Sequence, residues 1–424
     1  MNEQKPTIAQ KLREIRKYKG FKQIKFAETL GCALSKISDI ENGKKHYSAH
    51  QIAALKKLMG VEGAPLTDDE LAAFKKRLHV WRNYIKESRI EEGRKVQDEL
   101  SIIADLPFEK DLRIIYEIFR AKQAMEEKDI TLARELLEAV ENIAKGAGCE
   151  AQYHLRYTVG SLNAFEGRYN EALKSYLEAL SLQVDGLENE PLLYYNLAIC
   201  YSRLGRYVLS INTILRIYNE FDNGMTSVIG MHLDGALSAN YIRLKQNEAA
   251  LSVLEKALDR ARNLGYKNNI AIALHNFGIS YFQMGNPEKA LTYFEQSITA
   301  FGESSDKLES IYCKIRCLAA MKKGSRYKPL LIQAKALSEG DEHYTLLFNS
   351  LSHLLNLKEE RSIAYIENIT IPYLIGKYDY FRVLYYCDAL IAAHTKNEAR
   401  VKALEVKSLR ADIVDEITFG GNFR

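Results

Sequence analysis

Residues 30–45 read LGCALSKISDIENGKK, and they raise a question of chemistry before one of structure. A helix that reads DNA matches the donors and acceptors on base edges, with Arg on guanine and Asn or Gln on adenine as the strongest matches. This stretch offers Leu34, Ser35 and Asp39 instead. A Leu can lie against a thymine methyl, an Asp can accept from cytosine N4, and a Ser tolerates several partners. Ser38 and Asn42 share the outward face, while Gln23, Lys36, Lys44 and Lys45 are placed for phosphate oxygens. Such phosphate contacts fix register without reading sequence. Asp39 weighs against DNA, because a carboxylate near phosphates is repulsive. Charge weighs for it: residues 1–60 hold 13 Lys and Arg against 5 Asp and Glu, a net of +8, and the remainder carries −4. A basic head on a larger, mildly acidic body implies that only the head meets a polyanion.

The elements that must position these side chains follow from periodicity. IAQKLREIRKYKG (8–20) spaces Ile8, Leu12 and Ile15 as one helix face and ends in Gly20. QIKFAETLG (23–31) supplies a small Ala27 for a close helix contact and Gly31 for a left-handed turn. ALSKISDIENG (33–43) turns Ala33, Ile37, Ile40 and Glu41 inward. SAHQIAALKKLMGV (48–61) starts on Ser48 as an N-cap. Gln23, Ala27, Gly31, Ile37, Ile40, Glu41, Gly43 and Lys44, all in register, resemble the Cro/repressor-type helix-turn-helix over residues 8–61. In that arrangement the third helix enters the major groove and the second crosses the backbone. The competing reading is a degenerate head used only for protein contacts.

At 424 residues the chain is too long for one small domain. With 47% hydrophobic residues and only 7 Pro it can be helical almost throughout. After an acidic linker (VEGAPLTDDE, 61–70) turn-like triplets recur around Asp129, Gly167, Gly205, Lys245, Gly285 and Gly324, at spacings of 38, 38, 40, 40 and 39. A fixed period of this size marks a solenoid of helical hairpins. Within repeats, Gly160 with Ala172 and Tyr176, and Phe277, Gly278 and Tyr281 with Ala290 and Phe294, resemble the tetratricopeptide repeat (TPR). The period exceeds the usual 34 or so. The segment 373–391 looks like a late, divergent hairpin. The expected fold is all-α: an N-terminal helix-turn-helix domain (1–61), a linker (62–71) and a right-handed TPR superhelical solenoid (72–424).

In such a solenoid the first helix of each hairpin lines the concave face. Counting back from the turns places Tyr195, Asn196 and Arg203, then Asn240 and Arg243, then His275, Asn276 and Gln283 on or beside that face. Asn amides can satisfy both backbone N–H and C=O, and Arg can hold a carboxylate bidentately, which suits an extended peptide. Packed Asn and solvated Arg remain the alternative. Most Tyr and Phe are expected between helices.

Enzymatic motifs are lacking: no HExxH, Walker loop, GxGxxG or nucleophile elbow is present. His46 and His50 have no third ligand nearby in sequence. The six Cys form no CxxC, and Cys313 and Cys317 read as buried free thiols in a reducing cytosol. No catalytic residue, cofactor or metal is expected. No apolar run approaches a membrane span, and the N-terminus (MNEQKPTIAQ) is polar, so a cytoplasmic location is expected.

A Cro-type head on a long TPR body resembles the RRNPP family of peptide-sensing transcriptional regulators. The resemblance spans nearly the whole chain and implies a quorum-sensing receptor for a short signalling peptide. It further implies a homodimer or larger oligomer acting on the paired half-sites of a palindromic DNA operator. It implies peptide-gripping Asn residues, matched here by Asn196, Asn240 and Asn276. Some members also bind a response regulator of a phosphorelay. A TPR-type response-regulator inhibitor with a vestigial head and a phage-type lysis–lysogeny peptide receptor are the alternatives.

Overall fold

The computed structural model describes residues 7–184, 187, 190–220 and 227–419. The start of the polar N-terminal segment and the last residues of the body lie outside that set. Among the described residues there are helices and no strands. By contacts the chain divides into two compact units, Met1–Glu188 and Asn189–Arg424.

The first unit opens with α1 (Ile8–Tyr18), α2 (Gln23–Leu30), α3 (Leu34–Glu41) and α4 (Ala49–Met59). Their starts are written locally. Thr7 with Gln10, and Ser48 with Gln51, form reciprocal capping boxes at α1 and α4. Gly31 takes φ +59° between α2 and α3, where a side chain would be strained. Leu12, Phe26, Ile37, Ile40 and Leu55 are fully buried and make the head's core. Ala33, expected inward, is instead the exposed N-cap of α3. The helix begins one residue later than the wheel assumed, so its first buried position is Ile37.

Among the described residues six more α-helices complete this unit, α5 (Asp68–Lys86), α6 (Ile90–Glu99), α7 (Lys110–Glu126), α8 (Ile130–Ile143), α9 (Cys149–Phe165) and α10 (Tyr169–Ser181), with a 3-10 turn (Ser101–Asp105) between α6 and α7. The head is fastened to them. Val61 and Phe108 are buried in the head's core. Lys11 pairs with Glu109 at 2.7 Å, and the same carboxylate oxygen accepts the Leu66 N–H at 3.0 Å. The stretch read as an acidic linker is mostly exposed but is anchored at Val61 and Leu66, and its last residues already belong to α5.

The second unit pairs α11 (Pro191–Arg203) with α12 (Tyr207–Glu220), α13 (Ser227–Arg243) with α14 (Asn247–Leu264), α15 (Lys267–Gln283) with α16 (Pro287–Phe301), and α17 (Lys307–Ala320) with α18 (Gly324–Leu337). It continues as α19 (Glu342–Leu354), α20 (Glu360–Tyr365), a π-helical turn (Ile366–Thr370), α21 (Ile371–Gly376), α22 (Tyr380–Lys396) and α23 (Arg400–Phe419).

The recurring turns share one conformation. Gly167, Gly205 and Gly285 have φ near +78°, and Lys128, Lys245 and Lys322 take the same left-handed region without being glycine. At two turns the sequence points slightly off: Lys128 rather than Asp129, and Lys322 rather than Gly324, carries the left-handed φ, and Gly324 begins α18. Close packing within hairpins depends on Gly160 and Gly278. A Cβ there would meet the rings of Tyr176 at 2.7 Å and Phe294 at 2.5 Å. Within the second unit the end returns to the beginning: the Tyr380 ring covers Gly205, where a Cβ would approach it to 2.6 Å, with Ile417 of α23 beside it.

Candidate nucleic-acid interface and ligand face

The outward surface of α3 is open. Leu34 is 48% exposed, Ser35, Lys36, Asn42, Lys44 and Lys45 are exposed, and Ser38 and Asp39 are half-buried. What holds α3 in place is a buried pair beneath it. Glu41, 1% exposed, receives Arg16 bidentately, Nε at 2.7 Å and Nη2 at 2.8 Å. Gln23 donates to the second Glu41 oxygen at 2.8 Å, so one of its two amide N–H groups is committed to the fold. Arg16 Nη1 closes the set on the Phe21 carbonyl at 2.7 Å. The apparent obstacle, Asp39, is answered locally. Lys45 donates to it at 2.8 Å, and this bond, with the nearby Lys45 charge, holds the carboxyl below its usual range. Asp39 thus presents an acceptor whose charge is offset, which lessens its repulsion of phosphate.

In the second unit the expected ligand residues separate. Asn240 is fully buried and engaged at both ends of its amide: it accepts from Ser202 Oγ at 2.7 Å and donates to Ser210 Oγ at 2.8 Å, which donates to the Ala198 carbonyl at 2.7 Å. It ties α13 to α11 and α12, and the expectation that it grips a ligand is corrected. Tyr195 and Asn196 are half-buried on α11, and Arg203 is exposed at its end. Asn276 is buried on α15. Gln283 donates to the Ile242 carbonyl at 3.3 Å. His275 is 8% exposed, and its Nδ1 lies 2.9 Å from Ser310 Oγ. Burial pushes the imidazole down to about 4, so it is neutral near pH 7.

Arg243 leads to residues that sequence reasoning missed. It lies 3.7 Å from Asp379 and over the Phe381 ring at 5.1 Å. Asp379 caps α22 and pairs with Arg382, whose other guanidinium nitrogen pairs with Glu309 of α17. Burial, the largest single effect, would raise the Asp379 and Glu309 carboxyls, but the Arg382 and Arg243 charges, with the other groups around them, together hold both below their usual range. The result is a chain of alternating charge, Arg243–Asp379–Arg382–Glu309, joining α13, α22 and α17. Its members are far apart in sequence, and the only local signal is an Asp three residues before an Arg in the hairpin of 373–391. Such a network can hold one arrangement of the helices, and it can be broken by a competing carboxylate. Of the six thiols, Cys200, Cys313, Cys317 and Cys387 are buried and free as expected; Cys149 is exposed and Cys32 half-buried. No described helix is long and apolar enough to cross a membrane.

With this geometry in hand, the likenesses to known proteins can be placed. The family "Helix-turn-helix domain" matches residues 7–68, and "Tetratricopeptide repeat" families match residues 153–183 and 231–303. Response regulator aspartate phosphatase A of Bacillus subtilis (strain 168) is 26% identical over 333 residues, 69% of this chain and 86% of that protein. A Rap protein solved in complex with competence and sporulation factor superposes with a TM-score of 0.67 at 16% identity, over 82% of this chain and 98% of that one. NprR solved in complex with its cognate peptide NprX gives 0.66 at 19% identity, over 80% and 99%. Over the superposed four-fifths of the chain the helical fold is that of these Rap and NprR structures, and the family matches place a helix-turn-helix head before tetratricopeptide repeats.

Proposed function

We propose that the protein is a cytoplasmic, peptide-sensing transcription regulator. Residues 1–61 bind duplex DNA, and the repeat body, 72–424, binds a short signalling peptide and mediates oligomerisation. The observation that carries this reading is the joining of two features in one chain: a basic head whose α3 surface is open, and a charged network set among the first helices of the repeats. The likeness to NprR with its cognate peptide supports it.

The peptide face is made of Tyr195, Asn196, Arg203, Arg243, Asn276 and Gln283, without Asn240 and without His275, which is buried against Ser310. Arg243 is exposed and, among the described residues, its ion-pair partner is Asp379, so a peptide carboxylate can replace Asp379 there. Exchange of that partner loosens the Arg243–Asp379 link between α13 and α22, and the repeats shift. A shift that alters the pairing of two heads alters affinity for paired half-sites. Sparse base reading by Leu34, Ser35 and Asp39 makes such pairing the main source of selectivity.

Selection from a random duplex pool by the full chain tests the DNA half of the reading. Enrichment of two related half-sites at a fixed spacing, with affinity falling steeply in salt, is expected. Recovery of no common sequence would refute it. The named relative favours a second reading, in which the partner is a response regulator and its aspartyl phosphate the substrate. Purified chain that hydrolyses an acyl phosphate on a receiver domain, and enriches no duplex, would favour that reading.

A further inference from the structure

We infer that His275, Glu309 and Cys313 form a binding site for a zinc-type divalent cation. The site is distinct from the peptide face proposed above and does not require it. One donor atom from each side chain lies within 4.8 Å of the other two. Glu309 and Cys313 are one turn apart on α17, so they share a face. His275 reaches them from α15. Imidazole, thiolate and carboxylate are the three protein ligand types that zinc accepts, and three of them leave a fourth position for water or a ligand donor.

The hydrogen bonds behind His275 decide which of its nitrogens is available. Ser297 Oγ donates to the Ala271 carbonyl at 2.8 Å, which can only accept. Its single proton is therefore spent. The 2.9 Å contact between Ser297 and Ser310 must then be Ser310 donating. That spends the Ser310 proton in turn, so the 2.9 Å contact with His275 must be Nδ1–H donating to Ser310. The relay commits Nδ1–H to Ser310 and leaves Nε2 as the nitrogen that can offer a lone pair to a cation. A metal-binding His is commonly oriented in this way, with its second nitrogen held by a partner behind it.

Glu309 is arranged in the same sense. Arg382 holds Oε1, leaving Oε2 for a cation. The two arginines at hand, Arg243 and Arg382, are balanced by Asp379 and Glu309, and Arg316 lies against the Tyr385 ring at 3.6 Å. Binding forms three coordinate bonds and breaks one bond, the Cys313 S–H, whose proton goes to solvent. Nothing is oxidised or reduced. The opposing account is that the ion-pair network alone gathers these side chains, in which case they have no affinity for metal.

Cobalt(II) titration of the full chain, freed of metal with a chelator, separates the two. A thiolate–cobalt charge-transfer band saturating at one equivalent is expected, displaced by Zn2+. It should be lost in Cys313→Ser, in Cys313→Ala and in His275→Gln, each checked for native helicity by circular dichroism, and kept in Cys317→Ser and Cys149→Ser. If a Cys313 variant does not fold, His275→Gln carries the test. No band in the native chain, or a band that survives both the Cys313 and His275 changes, would overturn the proposal. The titration contains neither peptide nor DNA, so its failure leaves the peptide reading standing.

Discussion

Asn240 and Glu41 carry the fold rather than the ligands, and their substitution is predicted to act on stability. Asn240→Ala removes the acceptor of the Ser202 hydroxyl and the donor to Ser210 Oγ, whose own proton stays on the Ala198 carbonyl. It should cost about 1–3 kcal/mol of the second unit's stability in a denaturant melt. Glu41→Gln leaves Arg16 buried beside a neutral amide and should cost about 3–5 kcal/mol. The head then unfolds first, with the loss of duplex binding following its melt. His154 gives a pH signature in the first unit. It is buried edge-on to Phe119 at 5.1 Å, and burial, with Lys122, Arg82 and Lys86 nearby, pushes it well below its ordinary value. The unfolded chain takes up a proton near pH 6.5 that the folded chain refuses, so stability should fall as pH drops below about 6.5. Melts of His154→Phe should show a flatter acid limb than the native chain. The sequence pattern revealed that Glu41 points inward, because Ile37 and Ile40 flank it at helical spacing. It did not reveal Arg16 as its partner, which lies 25 residues away. Asn240 was misread for a related reason: a position on a first helix does not say whether its amide meets solvent or two serines.

Individual helices and turns answer to the hairpin geometry. Ala normally gains about 1 kcal/mol over Gly inside a helix. At Gly278 the gain is outweighed, because the added Cβ meets the fully buried Phe294 ring at 2.5 Å. Gly278→Ala should therefore lower the thermal midpoint, with a net loss of about 1 kcal/mol or more. A rise would mean that the ring can move aside. Lys245 is the opposite case. It holds φ +59° at a turn where Gly167, Gly205 and Gly285 stand in neighbouring repeats. A side chain in that region costs about 1–2 kcal/mol, partly offset by the greater freedom glycine has when unfolded. Lys245→Gly should raise the midpoint slightly, while Gly285→Ala lowers it. Hairpin existence and period were legible from these turns alone, since a left-handed residue recurs at Lys128, Gly167, Gly205, Lys245, Gly285 and Lys322. The exact turn residue was not, because Lys128 and Lys322 adopt a conformation that their side chains do not advertise.

For the whole molecule, the central claim is that ligand chemistry in the second unit governs DNA binding by the head in the first. The division of labour was visible in the sequence as a +8 head and a periodic body. The network that would join ligand to response was not, because Arg382 and Glu309 are 73 residues apart and meet only when α22 packs near α17. The head is held to the rest of the first unit by Phe108 and by the Lys11–Glu109 pair. Phosphate contact is expected from Lys44, and Lys44→Gln should reduce the salt dependence of duplex affinity by about one in log–log slope, with sequence preference unchanged. The most direct test captures short peptides from a random library on the immobilised full chain, then measures affinity for the selected duplex with and without the captured peptide. The account predicts a change of severalfold or more, abolished in Arg243→Ala and retained in Asn240→Ala. Equal duplex affinity with and without a peptide that demonstrably binds would contradict it.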